Sequence, residues 1–134
     1  MAIKISDVVK NAKLDAVETA IGASAILMIR AGAPPTNISD TDTGAVLSTI
    51  QLPSDWMAAA SGGTKALAGV WADTDADASG TAGHFRLYST DGVTQHMQGT
   101  VTVTSDAGDL TLDNISINAT QTVTITGFTW TEGN

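Results

Sequence analysis

The sequence predicts a mainly β domain, an antiparallel β-sandwich or jelly roll carrying one N-terminal α-helix. Three observations predict it. A 3.6-residue apolar period occupies the first segment; short runs rich in Val, Ile and Thr follow, separated by Gly, Asp, Asn and Ser at strand-and-turn intervals; and no composition break marks a second domain. At 134 residues the chain is expected to form a single domain over 1–134, burying about two-thirds of its unfolded surface.

The helix is expected over about 6–21. Ser6 is suited to cap it, Asp7 suits its first turn, and Lys10, Leu14, Val17 and Ile21 follow helical spacing, with Val9, Ala12, Ala16 and Ala20 beside them. Gly22 is a natural stop. The apolar stripe is of modest width and is expected to pack on its own domain.

Strands are expected near 25–30, 45–52, 65–72, 82–89, 93–104, 109–113 and 122–131. One hairpin can be read in register. Phe85 and Leu87 alternate with His84, Arg86 and Tyr88, while Val93 and Met97 alternate with Thr94, His96 and Gln98. The apolar faces match only across an odd-numbered turn. A type I turn at Thr90 and Asp91 with left-handed Gly92 supplies one, so Ser89 is expected to face Val93, Phe85 to face Met97 and Arg86 to face His96.

In the last strand Val123 and Ile125 share one parity, Phe128 and Trp130 the other, with Gly127 between. A bulge or a strand changing sheets is expected there. The longest loop, "AGAPPTNISDTDTG", carries two prolines and reads as an arm.

Composition excludes several function classes. The formal charge is -8, from six basic and fourteen acidic residues, which disfavours direct binding to nucleic acid or to an acidic membrane surface. Cysteine is absent, removing disulfides, thiolate metal sites and cysteine nucleophiles. "MAIKISDVVKNAK" lacks the apolar core of a signal peptide, so the chain is expected to be made in the cytoplasm and to stay soluble there unless something carries it elsewhere.

The stretch "DTDADASG" places Asp73, Asp75 and Asp77 on alternate positions, as the start of a calcium loop would. Counted from Asp73, however, the glycine position holds Ala78 and the bidentate glutamate position holds His84. As a strand, the three carboxylates would stand within ~7 Å of one another on one face and repel. A solvated loop is therefore expected, with Asp73, Asp75 and Asp77 a weak metal candidate.

His84 and His96 fall short of the three protein ligands a zinc site needs, and read as partly exposed strand residues. No nucleophile elbow, phosphate-binding loop or dinucleotide fingerprint occurs, so no catalytic residue, enzymatic activity or cofactor is expected. Trp71, Phe85, Phe128 and Trp130 fit core positions of strands. Ile38, Trp56 and Met57 are apolar residues in otherwise polar non-strand segments, and are the candidate partner interface.

The phrases "LDAVETAIGASAILMIRAG", "LPSDWMAAASGGTKALAGVW", "ADASGTAGHFRLYSTDGVTQHMQGTV" and "LTLDNISINATQTVTITGFTWTEGN" resemble a group of small proteins encoded among the structural genes of tailed bacteriophages and prophages. The resemblance runs from Leu14 to Asn134 and implies a virion component. The expectation is a head decoration or cement protein that binds the major capsid protein or other virion proteins and acts as a homo-oligomer. A neck, tail or fibre-associated module, structural or glycan-binding, is the alternative.

Overall fold

The computed structural model describes residues 3–131. Met1, Ala2 and residues 132–134, which the single-domain reading includes, lie outside them. Helix α1 (Asp7–Ile21) is capped as expected, with Ser6 Oγ accepting from Val9 N at 3.4 Å and Gly22 ending the helix at φ 96°. Its buried stripe is narrow, formed by Leu14 and Ile21 with Val17 partly covered. No helix among the described residues is long and apolar enough to cross a membrane.

Nine strands follow among the described residues: β1 (Ile26–Ala31), β2 (Val46–Gln51), β3 (Thr64–Ala66), β4 (Ala72–Asp73), β5 (Gly80–Tyr88), β6 (Gln95–Val103), β7 (Leu110–Leu112), β8 (Ser116–Ile117) and β9 (Val123–Thr131). They form one curled sheet in the order β2-β1-β5-β6-β7-β9-β3, with β4 also on β9 and β8 on β5. The mainly β class with an N-terminal helix is thus what the chain adopts, in a sandwich-like form.

The segment expected as a strand over 65–72 is split. Gly69, at φ 72°, interrupts it, so β3 and β4 lie separately along β9. The pair β6 and β7 is parallel, Val101 facing Leu110 and Val103 facing Leu112. Parallel neighbours usually need a crossover of about a dozen residues; this return is short because it lies flat on β6. Gly108 N–H donates to Thr102 Oγ1 at 3.0 Å, and a Cβ on Gly108 would stand 2.5 Å from that oxygen.

The β5–β6 hairpin shows how side chains adjust a register. Thr90 and Asp91 make the turn, with Gly92 N–H on Ser89 O at 2.9 Å and Gly92 at φ 70°. Ser89 N–H, however, reaches Thr94 O at 3.0 Å, so Val93 joins the loop instead of facing Ser89. A bulge then restores parity: Leu87 faces Met97, Arg86 faces Gln98 and Phe85 faces Gly99. The cause is Asp91, whose carboxylate accepts from Thr94 Oγ1 (2.6 Å), Thr94 N (2.9 Å) and Val93 N (2.8 Å) and keeps both residues in the loop.

At Gly127 the expected slip occurs. Thr111 faces Gly127 but Leu112 faces Ile125, so the bulge lets both Ile125 and Phe128 turn inward. The core gathers on an aromatic row: Trp56 and Trp71 lie 6.0 Å apart, Trp71 and Phe128 5.4 Å, and Phe85 meets Phe128 edge-on at 5.8 Å. Such contacts contribute about 0.5–1.5 kcal/mol each beyond their buried area.

Candidate functional site

Strand β5 is buried on both faces from His84 to Tyr88. Phe85 and Leu87 enter the core, so another layer must cover His84, Arg86 and Tyr88. That layer is the 32–45 loop. Read as an arm in the sequence, it lies instead as a flap on the outer face of β1, β5 and β6.

The sheet supplies donors and the flap acceptors. Arg86, fully buried, donates through Nη1 to Asp40 O (2.8 Å) and Asp42 Oδ1 (2.8 Å), and through Nη2 to Asn37 O (3.1 Å). Gln98, its cross-strand neighbour, accepts from Arg86 Nε and Nη2 and passes its own amide N–H to Pro35 O at 2.6 Å. Arg30 donates to Gly44 O at 3.1 Å and to Asp42 Oδ2 at 3.0 Å, and Tyr88 OH donates to Asp42 Oδ1 at 2.9 Å. Four flap carbonyls and one carboxylate are engaged this way.

Electrostatics at the clamp follow from two guanidinium groups sharing one carboxylate. Partial burial pushes the Asp42 carboxyl up, but the Tyr88 and Arg86 hydrogen bonds and both arginine charges outweigh it, and its pKa falls below the usual carboxylate range. Burial and the bond to Asp42 push the Tyr88 phenol up. His84, the cross-strand partner of Arg30, is fully buried, a correction to the expected partly exposed histidine.

Burial draws the His84 imidazole down, and the Arg30 and Arg86 charges add to this against the bond to Gly32 O. His84 Nδ1 stands 2.8 Å from that oxygen, which can only accept, so Nδ1 carries the proton and Nε2 is bare. Arg30 Nε and His84 Nε2 are buried without a hydrogen-bond partner.

Ile38 sits at the flap's outer turn with 37% of its surface exposed. The turn is closed locally, Asn37 N donating to Asp40 Oδ2 at 2.8 Å and Asp40 N to Asn37 O at 3.1 Å. Arg86 grips the carbonyls on either side of Ile38, those of Asn37 and Asp40. A partner would therefore meet Ile38 on a surface already ordered, without the entropy cost of fixing a free loop.

Trp56 and Met57 do not share this position. They are 0% and 1% exposed, which corrects their assignment to a partner interface. Trp56 Nε1 donates to Gly22 O at 2.9 Å, while Trp71 Nε1 donates to Trp56 O at 3.1 Å. The loop around them is held by α1: Met57 N donates to Glu18 Oε1 (3.2 Å), Ala60 N to Asp15 Oδ1 (3.0 Å) and Gly63 N to Asn11 Oδ1 (3.0 Å). Lys65 joins from β3, 2.6 Å from Asp15 and 3.1 Å from Glu18; burial lowers its pKa but these two carboxylates outweigh it and hold the amine protonated.

The aspartate octet closes the sheet. Asp73 Oδ2 accepts from Ser48 Oγ and Asp77 Oδ2 from Thr49 Oγ1, each at 2.7 Å, and Asp73 Oδ1 accepts from Asp75 N at 2.9 Å. Asp77 N donates in turn to Leu47 O at 2.8 Å. Asp73 thus ties β2 to the end of β4 and Asp77 ties it to the segment that follows, and the loop is docked. No group of three or more His, Asp or Glu among the described residues is placed to hold a metal ion.

The clamp residues Arg30, Asp42, Arg86, Tyr88 and Gln98 were not singled out by sequence reasoning. Their signal is two arginines on outward-facing strand positions, with an acidic stretch in the intervening loop. No family model, curated protein or solved structure matches this chain.

Proposed function

We propose that this protein is a structural component of a tailed-bacteriophage particle, a head decoration or cement protein that binds the outer capsid lattice and stiffens it. The observation that carries the reading is the clamped flap, which presents Ile38 outward on a turn gripped by the buried Arg86. A rigid β body with a preorganised apolar contact suits repeated docking, where many copies each binding weakly hold collectively. The sequence phrases resembling phage structural-region proteins support the same reading, and the acidic balance suits an outer surface better than contact with packaged DNA.

The test is co-sedimentation of purified chain with particles assembled without it. Wild-type chain is expected to bind at saturable, repeated occupancy, and Ile38→Asp to bind markedly less while melting at the wild-type temperature. Equal occupancy for the two chains would remove Ile38 from the contact. Failure of the wild-type chain to bind any part of the particle would remove the virion reading itself.

A further inference from the structure

The sheet contains a slot one strand wide. β7 pairs with β6 only at Val101–Val103 and with β9 only from Ile125 to Phe128. Beyond Asp109, which sits between Thr100 and Thr129, the first half of β6 and the end of β9 therefore face each other with no strand between them. Two strand spacings separate β6 from β9 across β7, about 9.6 Å, so the gap beside β7 has room for a single extended chain. Its floor is apolar, formed by Phe85, Met97 and Phe128, and the opening encloses about 390 Å³.

Both walls offer backbone groups. Thr100 N–H turns away from β5 and is met by Asp109 Oδ2 at 2.8 Å. By the alternation of an antiparallel ladder, Gln98 N–H and C=O point into the same gap. On the other wall, Phe128 O accepts from Leu67 N on the β3 side, so Thr129 and Thr131 turn the other way; Thr129 meets Asp109, the neighbour of the Leu110–Phe128 pair, and Thr131 N–H and C=O point into the slot. An edge of this kind is a template for strand addition. Asp109 stands in for a strand at one end only, in space that Gly99 leaves free; a Cβ there would lie 2.8 Å from its Oδ2.

We propose that the slot receives the Ile3–Ser6 segment of a second copy of this chain as an added β-strand. The segment precedes α1, forms no strand, and alternates Ile3 and Ile5 with Lys4 and Ser6, the pattern of a strand with one apolar face. Ile3 is 80% exposed, so the segment does not fill its own slot. Four residues extended span about 13 Å, comparable to the open edge of β6. Lys4 brings an ammonium to a slot whose polar end is the Asp109 carboxylate.

Position also favours a second copy. Asn11 is bonded to Gly63, and the next residue, Thr64, pairs with Thr131 at the mouth of the slot. The N-terminal half of α1 therefore lies by the end of β9 that borders the slot, and a two-fold axis through that end lets two copies exchange arms reciprocally. The inference is independent of where the protein acts, because it rests on the slot and the arm alone.

The test is sedimentation velocity together with amide hydrogen exchange on the full chain. Wild type is expected to self-associate, with the Gln98 and Thr131 amides becoming protected as concentration rises. Ile3→Asp and Lys4→Glu, each at an exposed position, are expected to lose both association and protection with no change in melting temperature. A wild-type monomer with freely exchanging Gln98 and Thr131 amides at high concentration would overturn the proposal. Association that both variants leave intact would also overturn it, by placing the contact elsewhere.

Discussion

Replacing Asp42 with alanine tests the clamp directly. The carboxylate receives Arg86 Nη1 at 2.8 Å, Tyr88 OH at 2.9 Å and Arg30 Nη2 at 3.0 Å. Its removal leaves two guanidinium groups facing each other without an anion, one of them fully buried. Removing one partner of a buried ion pair costs about 3–5 kcal/mol. Two features reduce that figure: the Asp42 side chain is 30% exposed, and Arg86 keeps Asn37 O, Asp40 O and Gln98 Oε1.

We therefore expect a loss of about 2–3 kcal/mol, which for a chain of this size lowers the melting temperature by roughly 6–15 °C. Thermal unfolding followed by circular dichroism reads the total. Hydrogen exchange locates it, with flap amides between 33 and 44 exchanging faster while those of β6 and β9 keep their order of protection. A melting temperature within about 1 °C of wild type, with unchanged flap exchange, would show that the clamp does not hold the flap.

Trp56→Ala is expected to cost about 3–5 kcal/mol, because it empties a core site between Trp71 and the end of α1; a chain that melts like wild type would contradict the core assignment. His84 has its pKa lowered by burial and by the nearby arginines, so the unfolded chain takes up the proton first: stability is full above about 6.5 and falls as pH drops from there toward the folded value. His84→Phe should flatten that part of the pH–stability curve, and a slope equal to wild type's would assign it to another group. The Asp91 carboxyl, held chiefly by the Thr94 hydroxyl and then by the Thr94 and Val93 amides, should titrate at about 2 by NMR, and a midpoint near the ordinary aspartate value would mean those bonds are not formed in solution.

Much of the fold is legible in local pattern. Ser6, the 14–17–21 spacing and Gly22 bound the helix, the parity change at Gly127 announces the bulge, and Gly92 sits in the left-handed conformation the turn requires. What is not legible depends on partners distant in sequence. Nothing near Ile38 says that Arg86, 46 residues from Asp40, will grip its turn. Trp56 reads as a loop residue because the group that satisfies its indole is Gly22 O, 34 positions back. Aspartates at 73 and 77 resemble ligands until Ser48 and Thr49 are brought against them, and the hairpin slips because the carboxylate of Asp91 outweighs the simplest turn.

The most direct test of the account is a cryo-EM map of the virus particle, searched for density that fits this curled β sheet. A decoration protein appears there as density repeated over the head lattice, with the 32–45 flap and Ile38 turned toward the capsid. Density confined to the neck or tail would contradict the decoration role, and absence of such density from the whole particle would contradict the structural role altogether.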